Sequence, residues 1–415
     1  MSGHADEQTS GGGPGGGGSG GDRSGGGGPG GGGSGGGGPG GGSGSWFSSG
    51  TVGQPSLFER YRIPLGLLVL VVVLRPAVAS DVLLGYDAIA SKMLIMMLFV
   101  AAFNLLFGYT GLLSFGHAMF LGFGLYIPAI LVQNGLWVLP AGGNVTFFVG
   151  VVLAVAAVAV YSYLLGKLIV GMGEIYFALL TLAFAQALYF IVLRDWWELT
   201  GGSNGLSRGT LPDFVEQTRG AISIEAFGLS VDWYWVVGVV FLLGMLALWQ
   251  LIRSPFGRSA IAVRENEQLA RAMGIDTTRY KIWAVTFSGV FSALAGVLLA
   301  IQNTGVAIEN LNVFTSGDTV LMAVLGGISY FFGPIAGAFT WLFVEDFLTD
   351  FELWQFPLSE VTLVTLDLGD VLAYWQFFLG ALFVVVVLTA PEEGIWGYVR
   401  SIPTWLYDRV TEGEQ

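Results

Sequence analysis

Long apolar stretches separated by short polar ones dominate the sequence from residue 63 onward. Most of them are close to the roughly 20 residues that a helix needs to cross a bilayer. This pattern indicates a bundle of membrane helices. We predict eight spanning helices, in the stretches 63–79, 86–107, 112–133, 145–166, 175–193, 233–252, 281–302 and 371–388.

The apolar stretch 316–348 differs from the others because it is too long for one helix and too short for two full spans. Gly326-Gly327 and Gly333-Pro334 interrupt its middle. Non-helical backbone at membrane depth is tolerated only inside protein or beside a watery cavity. We therefore predict an all-α fold, a polytopic membrane helix bundle of about 8–10 transmembrane helices with a broken or re-entrant hairpin.

The two ends of the chain are more polar than its middle. Residues 10–45 are almost wholly Gly, Ser and Pro, a composition that cannot bury apolar area and stays disordered. We predict a disordered cytosolic tail over 1–55, a membrane domain over 56–390 and a cytosolic C-terminal tail over 391–415.

Charged residues in the loops predict the orientation of the bundle. The loop 253–281 carries six bases against three acids, and short basic loops stay in the cytoplasm. The loop 194–232 is net acidic and the stretch 345–370 has acids but no base, so both are predicted to face outside. Both termini of the chain are then cytoplasmic.

Composition excludes several classes of function. Hydrophobic residues make up 53% of the chain and charged residues 11%, where a soluble domain carries roughly a quarter charged residues. The chain has no cysteine, which excludes thiol nucleophiles, zinc–thiolate sites and iron–sulfur clusters. With two histidines, one of them His4 in the tail, we predict no metal site and no cofactor.

Motifs of catalysis are absent as well. The sequence holds no P-loop, since Gly166-Lys167 is followed by Leu168, and it holds no H-E-x-x-H or G-x-S-x-G. We therefore predict that the chain is not an enzyme. A secondary transporter would need buried charges for ion coupling. Within the predicted spans we identify Lys92 and, at the margin, Asp87 as candidates for such a charge, and this small number counts against that alternative.

Five polar residues on otherwise apolar segments are candidates for a substrate path: Asn104, Ser114, His117, Thr181 and Gln186. An ionisable residue inside a membrane is a functional candidate. His117 could line the path or sense protons, or it could only donate a hydrogen bond to a neighbouring carbonyl. The other four could likewise only bond across helices. On a later segment, Ser288, Ser292, Gly296 and Ala300 share one helix face, which could serve close packing or line a pore.

The predicted cytoplasmic loop contains a charged helix from Arg258 to Met273. Gly274 can end that helix in the left-handed conformation, and Asp276 or Thr277 can cap the next one. The helix has two interpretations, a solvated connector or a docking element for a cytosolic partner.

Several sequence motifs carry a resemblance to a known family. The run SPFGRSAIAVRENEQLARAMGIDTTRYK at 254–281 resembles the cytoplasmic loop of permeases of branched-chain amino acid ABC importers, of the LivM type. Four further motifs are similar to that family in the same order. They are TGLLSFGH at 110–117, IYFALLTLAFAQ at 175–186, LTGGSNGL at 199–206, and VLGG at 324–327 with GPIAGA at 333–338.

The resemblance implies a role for the cytoplasmic loop. In such importers a coupling helix docks on an ATPase subunit, in a pattern of Glu-Ala-Ala, three residues and Gly. Ala270 and Gly274 match that pattern, Gln268 and Leu269 depart from it, and Glu267 lies one place early. The coupling residues so implied are Arg264, Glu265, Glu267, Ala270, Arg271 and Gly274.

The resemblance also implies partners and a substrate class. It implies a permease subunit that passes branched-chain or related amino acids inward, paired with a second permease subunit and driven by two cytosolic ATPase subunits. An extracellular substrate-binding protein would dock at an outer mouth formed by Thr200, Gly201, Gly202, Ser203 and Asn204. A plain external turn is the alternative for that loop, and a urea or short-amide permease the alternative for the chain. Nucleic acid is not an expected partner. Acid-rich, lysine-poor loops suit a high-salt setting such as that of haloarchaea, or simply an acidic protein.

Overall fold

The computed structural model describes residues 57–78, 87–135, 143–206, 222–224, 229–350, 375–390 and 393–400. The predicted disordered tail 1–55, residues 351–370 of the acidic stretch and residues 401–415 lie outside the described residues.

The described chain is almost wholly helical. Its helices are α1 (Leu57–Val78), α2 (Asp87–Thr110), α3 (Ala118–Asn134), α4 (Asn144–Ile169), α5 (Glu174–Arg194), α6 (Trp233–Arg253), α7 (Pro255–Glu265), α8 (Glu267–Ala272), α9 (Thr277–Asn303), α10 (Val313–Gly326), α11 (Gly333–Asp350), α12 (Trp375–Thr389) and α13 (Gly394–Arg400). Every predicted membrane segment falls on one of these helices. Five described helices are long and apolar enough to cross a membrane, or six if the bent pair α12–α13 forms one span. The polytopic helical bundle is confirmed.

Three details differ from the sequence prediction. Helix α3 begins at Ala118 rather than near 112, because Gly111 adopts a positive φ of 75° that ends α2. The predicted helix from Arg258 to Met273 is two helices, α7 and α8, because Asn266 is extended and its side chain caps α8 by accepting from the Leu269 N–H. A two-stranded antiparallel hairpin, β1 (Ile222–Ile224) and β2 (Leu229–Val231), adds a small sheet to the all-α prediction.

Helices α2 and α9 form the centre of the bundle. In the most apolar 18-residue stretch of each helix, 89% of α2 and 78% of α9 is buried inside the protein, whereas only 22% of α5 is buried. Helix α9 crosses α3 at very short range, because a side chain on Gly124 would meet the Ala293 carbonyl and one on Gly296 would meet the Leu121 carbonyl. The predicted small-residue face of α9 therefore serves close packing against α3.

The predicted hairpin over 316–348 is present as α10 and α11, which pack against each other and are joined by a turn at 327–332. Glycines let the two backbones touch there, since a side chain on Gly326 would meet the Gly333 carbonyl and one on Gly337 would meet the Met322 carbonyl. At only 14 residues, α10 starts inside the bundle, where the Ser316 hydroxyl accepts the Ala118 N–H at 2.9 Å.

Helix α13, the first part of the predicted C-terminal tail, covers the turn of the hairpin. Trp396 stacks on Phe332 with ring centroids 5.0 Å apart, and the Arg400 guanidinium lies 5.8 Å above the Tyr330 ring. Gly327, at φ 105°, packs directly on the backbone of Glu393 and Gly394. Three backbone segments thus meet at one point.

Candidate functional site

His117 forms the centre of a buried polar cluster where α3 meets α2 and α9. Its Nε2 lies 3.1 Å from the Ser288 hydroxyl and 2.9 Å from the Ser292 hydroxyl, both on α9. The His117 side chain and both serines are fully buried. The cluster therefore joins the start of α3 to the central helix.

The hydrogen atoms in this cluster can be assigned. The Ser288 hydroxyl donates to the Ala102 carbonyl of α2 at 2.5 Å, and the Ser292 hydroxyl donates to the Ser288 carbonyl at 2.8 Å. Because both hydroxyl hydrogens are used, the Nε2–H of His117 must donate to the two serine oxygens. The ring then carries a proton on Nε2.

The surroundings of His117 are aromatic. Phe103 and Phe120 lie edge-on to the imidazole at 5.3 Å each, and Phe99 lies 5.7 Å away. A charged imidazolium without a counter-ion would be costly in such a site, so the neutral ring fits it. The predicted structural alternative for His117, a hydrogen-bond donor between helices, matches this geometry, with serine hydroxyls as acceptors in place of a carbonyl.

The other predicted path residues do not gather at one point. Ser114 is buried close to His117, where its hydroxyl accepts the Gly116 N–H at 3.4 Å. Thr181 on α5 lies nearby, because its carbonyl packs directly on Gly116, and its hydroxyl donates to the Ala178 carbonyl at 2.9 Å.

Asn104 and Gln186 lie apart from that group. Asn104 donates to the Ile328 carbonyl at 3.2 Å and so ties α2 to the turn of the hairpin. Gln186 is half-buried on α5. The path role of all five residues stays a prediction.

Charges within the hairpin correct the sequence analysis, which counted only Lys92 and Asp87 inside membrane segments. Helix α10 carries Asp318, and α11 carries Glu345 and Asp346, all of them half-buried. Glu345 interacts electrostatically with Lys92 of α2 and with both aspartates. Sequence analysis had assigned Glu345 and Asp346 to the external acidic stretch, but the helix continues through them.

The segment 254–276 contains the two short helices α7 and α8 and is here named the coupling segment. Ser254 and Pro255 start α7 sharply, and Phe256 stacks on Tyr280 with ring centroids 5.6 Å apart. After α8, Gly274 adopts φ 86°, and the Ile275 N–H donates to the Ala270 carbonyl, which closes a Schellman turn. The Asp276 side chain then caps α9. The predicted stop and cap are both present.

Most of the six predicted coupling residues make contacts within the chain. Ala270 is buried, and Gly274 forms the turn. The Arg264 guanidinium donates to the Gly108 carbonyl in the last turn of α2. Glu267 accepts from Arg271 at 2.7 Å, within α8. Glu265 is exposed at the end of α7.

Two exposed apolar residues of the coupling segment were missed by sequence analysis. Leu269 in α8 is 59% exposed, and Met273, the residue that follows α8, is 75% exposed. Their spacing of four could have identified them as a pair, because residues four apart lie next to each other on the surface of a helix. Leu269 instead drew attention only as a departure from the Glu-Ala-Ala pattern.

The Thr200–Asn204 loop is built around Asp195, which follows α5 with a positive φ of 43°. One carboxylate oxygen accepts the N–H groups of Leu199 and Thr200, and the other accepts the N–H of Gly201. These bonds, first of all that from the Thr200 N–H, hold the pKa of Asp195 below its usual value. The loop is thus a fixed structure.

Glycines explain the sequence of that loop. Gly201, Gly202 and Gly205 all have positive φ, and Gly205 packs directly on the Val306 carbonyl. Leu206 then pairs with Val306 in an antiparallel bridge, which fastens the loop to the residues before α10. Ser203 and Asn204 remain exposed. Docking of a partner on this loop stays a prediction.

Comparison with known proteins identifies the family. The model of the family described as "branched-chain amino acid transport system / permease component" matches residues 85–387, which contain the His117 cluster, the coupling segment and the hairpin. This protein belongs to that permease family. It is therefore a multi-pass membrane protein of a transport family, as its apolar helices indicate.

Individual relatives of this permease agree with the family assignment. The high-affinity branched-chain amino acid transport system permease protein LivM of Escherichia coli is 29% identical over 303 residues, covering 68% of each chain. The LivM of Salmonella typhimurium is 29% identical over 286 residues, and the match spans 64% of either chain, just under two thirds. The probable LivM of Methanocaldococcus jannaschii is 25% identical over 274 residues, covering 59% of this chain and 76% of the relative. No solved structure matches the chain.

Proposed function

We propose that this chain is the permease subunit of an ABC importer that passes branched-chain amino acids inward, driven by ATPase subunits on other chains. The observation that carries the proposal is the coupling segment, a capped pair of helices that exposes Leu269 and Met273. An exposed apolar pair beside charged residues is typical of a protein-docking surface. The LivM names of the relatives support the substrate class.

The proposed assembly contains a second permease subunit, two cytosolic ATPase subunits and an extracellular substrate-binding protein. The excess of bases in the loop 253–281 favours a cytoplasmic location for that loop, so that both termini are cytoplasmic and the Thr200–Asn204 loop faces outside. The exposed Ser203 and Asn204 on that fixed loop suit docking of the binding protein. The chain itself acts as a transporter subunit without a catalytic site or cofactor.

The proposed passage runs along α5, where the second permease would meet it. Only 22% of the most apolar 18-residue stretch of α5 is buried within this chain, so the surface of α5 is open to another subunit or to lipid. Gln186 is the half-buried polar residue on that helix. Asn104, Ser114, His117 and Thr181 are fully buried and would reach the passage only when the helices move.

Removal of the exposed apolar pair tests the docking proposal. We expect Leu269→Ser with Met273→Ser to weaken copurification of the ATPase subunits about tenfold or more, because a few central apolar residues supply most of the binding free energy of such interfaces. The matched control is Phe314→Ser, an exposed large apolar residue at the start of α10. Unchanged ATPase binding by the double variant would overturn the docking proposal.

The substrate is tested in liposomes that hold the complete importer. Uptake of labelled leucine that requires ATP and the binding protein is expected, with competition by isoleucine and valine and none by urea or acetamide. Competition by the amides alone would favour the alternative substrate class. Uptake by this chain without ATPase subunits would instead identify a secondary transporter.

A further inference from the structure

Glu267 and Lys281 form an ion pair that the proposed function does not explain. The Lys281 Nζ lies 2.8 Å from Glu267 Oε2, and only 6% of the lysine side chain is exposed. Lys281 belongs to the second turn of α9, the central helix, whereas Glu267 is the first residue of α8. The pair therefore links the coupling segment directly to the centre of the bundle.

Both carboxylate oxygens of Glu267 are engaged within the chain. Oε1 accepts from the Thr277 hydroxyl at 3.0 Å and from Arg271 at 2.7 Å, while Oε2 accepts from Lys281. Arg271 also donates to the Thr277 oxygen at 2.9 Å, so Glu267, Arg271 and Thr277 close a ring, and Lys281 is bonded to it through Glu267. Bonds within the chain thus use three of the roughly four acceptor positions of this carboxylate, and one of them holds a buried lysine.

A second contact ties the same segment to the other central helix. The Arg264 guanidinium donates to the Gly108 carbonyl, one of the carbonyls that the end of α2 leaves without a helical partner. Further along, α2 and α9 are joined by the bond from Ser288 to the Ala102 carbonyl. Because of these contacts, a movement of the coupling segment would move α2 and α9 together.

We propose that Glu267 is a positioning residue that locks the coupling segment to α9 through Lys281, and that it does not contact the ATPase. The proposal rests on the proposed function, because it assigns how docking of the ATPase moves the passage helices. Motion applied at Leu269 and Met273 reaches α9 through this pair and α2 through Arg264. Without the pair, the ATPase still docks, but the segment moves without moving α9.

The experiment uses the complete importer in liposomes and measures ATPase binding, ATP hydrolysis and leucine uptake separately. We expect Glu267→Gln and Lys281→Met to keep ATPase binding within about twofold of the unmodified chain and to lower leucine transported per ATP hydrolysed about fivefold or more. Lys281→Arg keeps the charge and is expected to retain most of the transport. The matched controls are Glu174→Gln and Lys167→Met, exposed residues outside the coupling segment.

The double variant Glu267→Gln with Lys281→Met decides whether the two residues act together. If the two residues act only through their ion pair, the double variant loses as much transport per ATP as the more severe single variant. If Glu267 instead contacts the ATPase, Glu267→Gln alone weakens ATPase binding and Lys281→Met does not, which overturns the proposal. Unchanged transport per ATP in both single variants also overturns it. Absence of ATP-driven uptake by the unmodified complex would contradict the proposed function itself.

Discussion

At the scale of single residues, His117 shows how an ionisable group can be accommodated inside a membrane bundle without acting as a charge. Its Nε2–H is shared between two serines of α9, and three phenylalanine rings surround it. A neutral hydrogen-bond donor in that position joins two helices without placing a charge in the membrane.

The Glu267 ion pair makes stability depend on pH. Partial burial alone would raise the pKa of Glu267, but hydrogen bonds from Lys281 and Thr277 and the charges of Lys281 and Arg271 lower it below 4.5 overall. A lowered carboxyl pKa contributes stability that is complete above the unfolded value and is lost as pH falls through the folded value. At neutral pH we expect Glu267→Gln to cost about 1–2 kcal/mol of unfolding free energy, given the partly exposed pair.

The measurement is thermal or denaturant unfolding of the two purified chains between neutral pH and pH values below 4.5, the ordinary pKa of a glutamate. The gap between the unmodified chain and Glu267→Gln is expected to shrink as the pH falls below that value. A gap that stays constant across the range would mean that ionisation of Glu267 does not stabilise the fold.

Sequence analysis identified the residue types of the buried cluster but not their partners. His117 stood out because it is ionisable and apolar residues flank it. That Asn104 bonds to Ile328, 224 residues away, depends on how helices pack, which no local pattern encodes. For the same reason the sequence did not show that Glu267 and Arg264, two of the predicted coupling residues, bond to Lys281 and to the Gly108 carbonyl within this chain.

At the scale of helices, close backbone contact decides the packing of α3 on α9. Gly296→Ala would place a methyl group against the Leu121 carbonyl, and we expect a loss of about 1–3 kcal/mol of unfolding free energy. The matched control is Gly317→Ala in α10, where no atom lies within 4 Å of the added group. There we expect a gain of up to about 1 kcal/mol from helix propensity.

Melting temperatures in one detergent measure both variants. Equal shifts for Gly296→Ala and Gly317→Ala would contradict the close approach of α3 and α9, because propensity alone would then account for the result.

Helices were predicted well where length and apolarity suffice, and less well where local hydrogen bonds decide. The hairpin of α10 and α11 follows from the glycines that interrupt 316–348. The break at Asn266 does not, since Asn266 lies in a run of helix-forming residues and its capping bond to Leu269 appears only in the folded loop. The β1–β2 hairpin, three residues in each strand, is too short to give an alternating pattern.

At the scale of the whole molecule, the orientation in the membrane can be tested directly because the chain contains no cysteine. We introduce one cysteine at a time, by Met273→Cys in the coupling segment or Ser203→Cys in the loop after α5. Both positions are exposed. With a maleimide that cannot cross membranes, we expect Ser203→Cys to be labelled in intact cells and Met273→Cys only after the membrane is opened, since basic loops stay in the cytoplasm.

The unmodified chain is the control and should stay unlabelled. The opposite pattern, with Met273→Cys labelled in intact cells, would mean that the orientation in the membrane is the reverse of the predicted one. It would remove the coupling segment from the reach of any cytosolic ATPase.

The contact of α13 with the turn of the hairpin has a consequence for biosynthesis. Gly327 packs on the backbone of Glu393 and Gly394, and Trp396 covers Phe332, yet α13 leaves the ribosome after both helices of the hairpin and α12. The turn therefore waits, uncovered, until translation has passed residue 400. Assembly of this protein in the membrane therefore includes a late step, in which α13, the last helix in the described part of the chain, packs on a hairpin that was made much earlier.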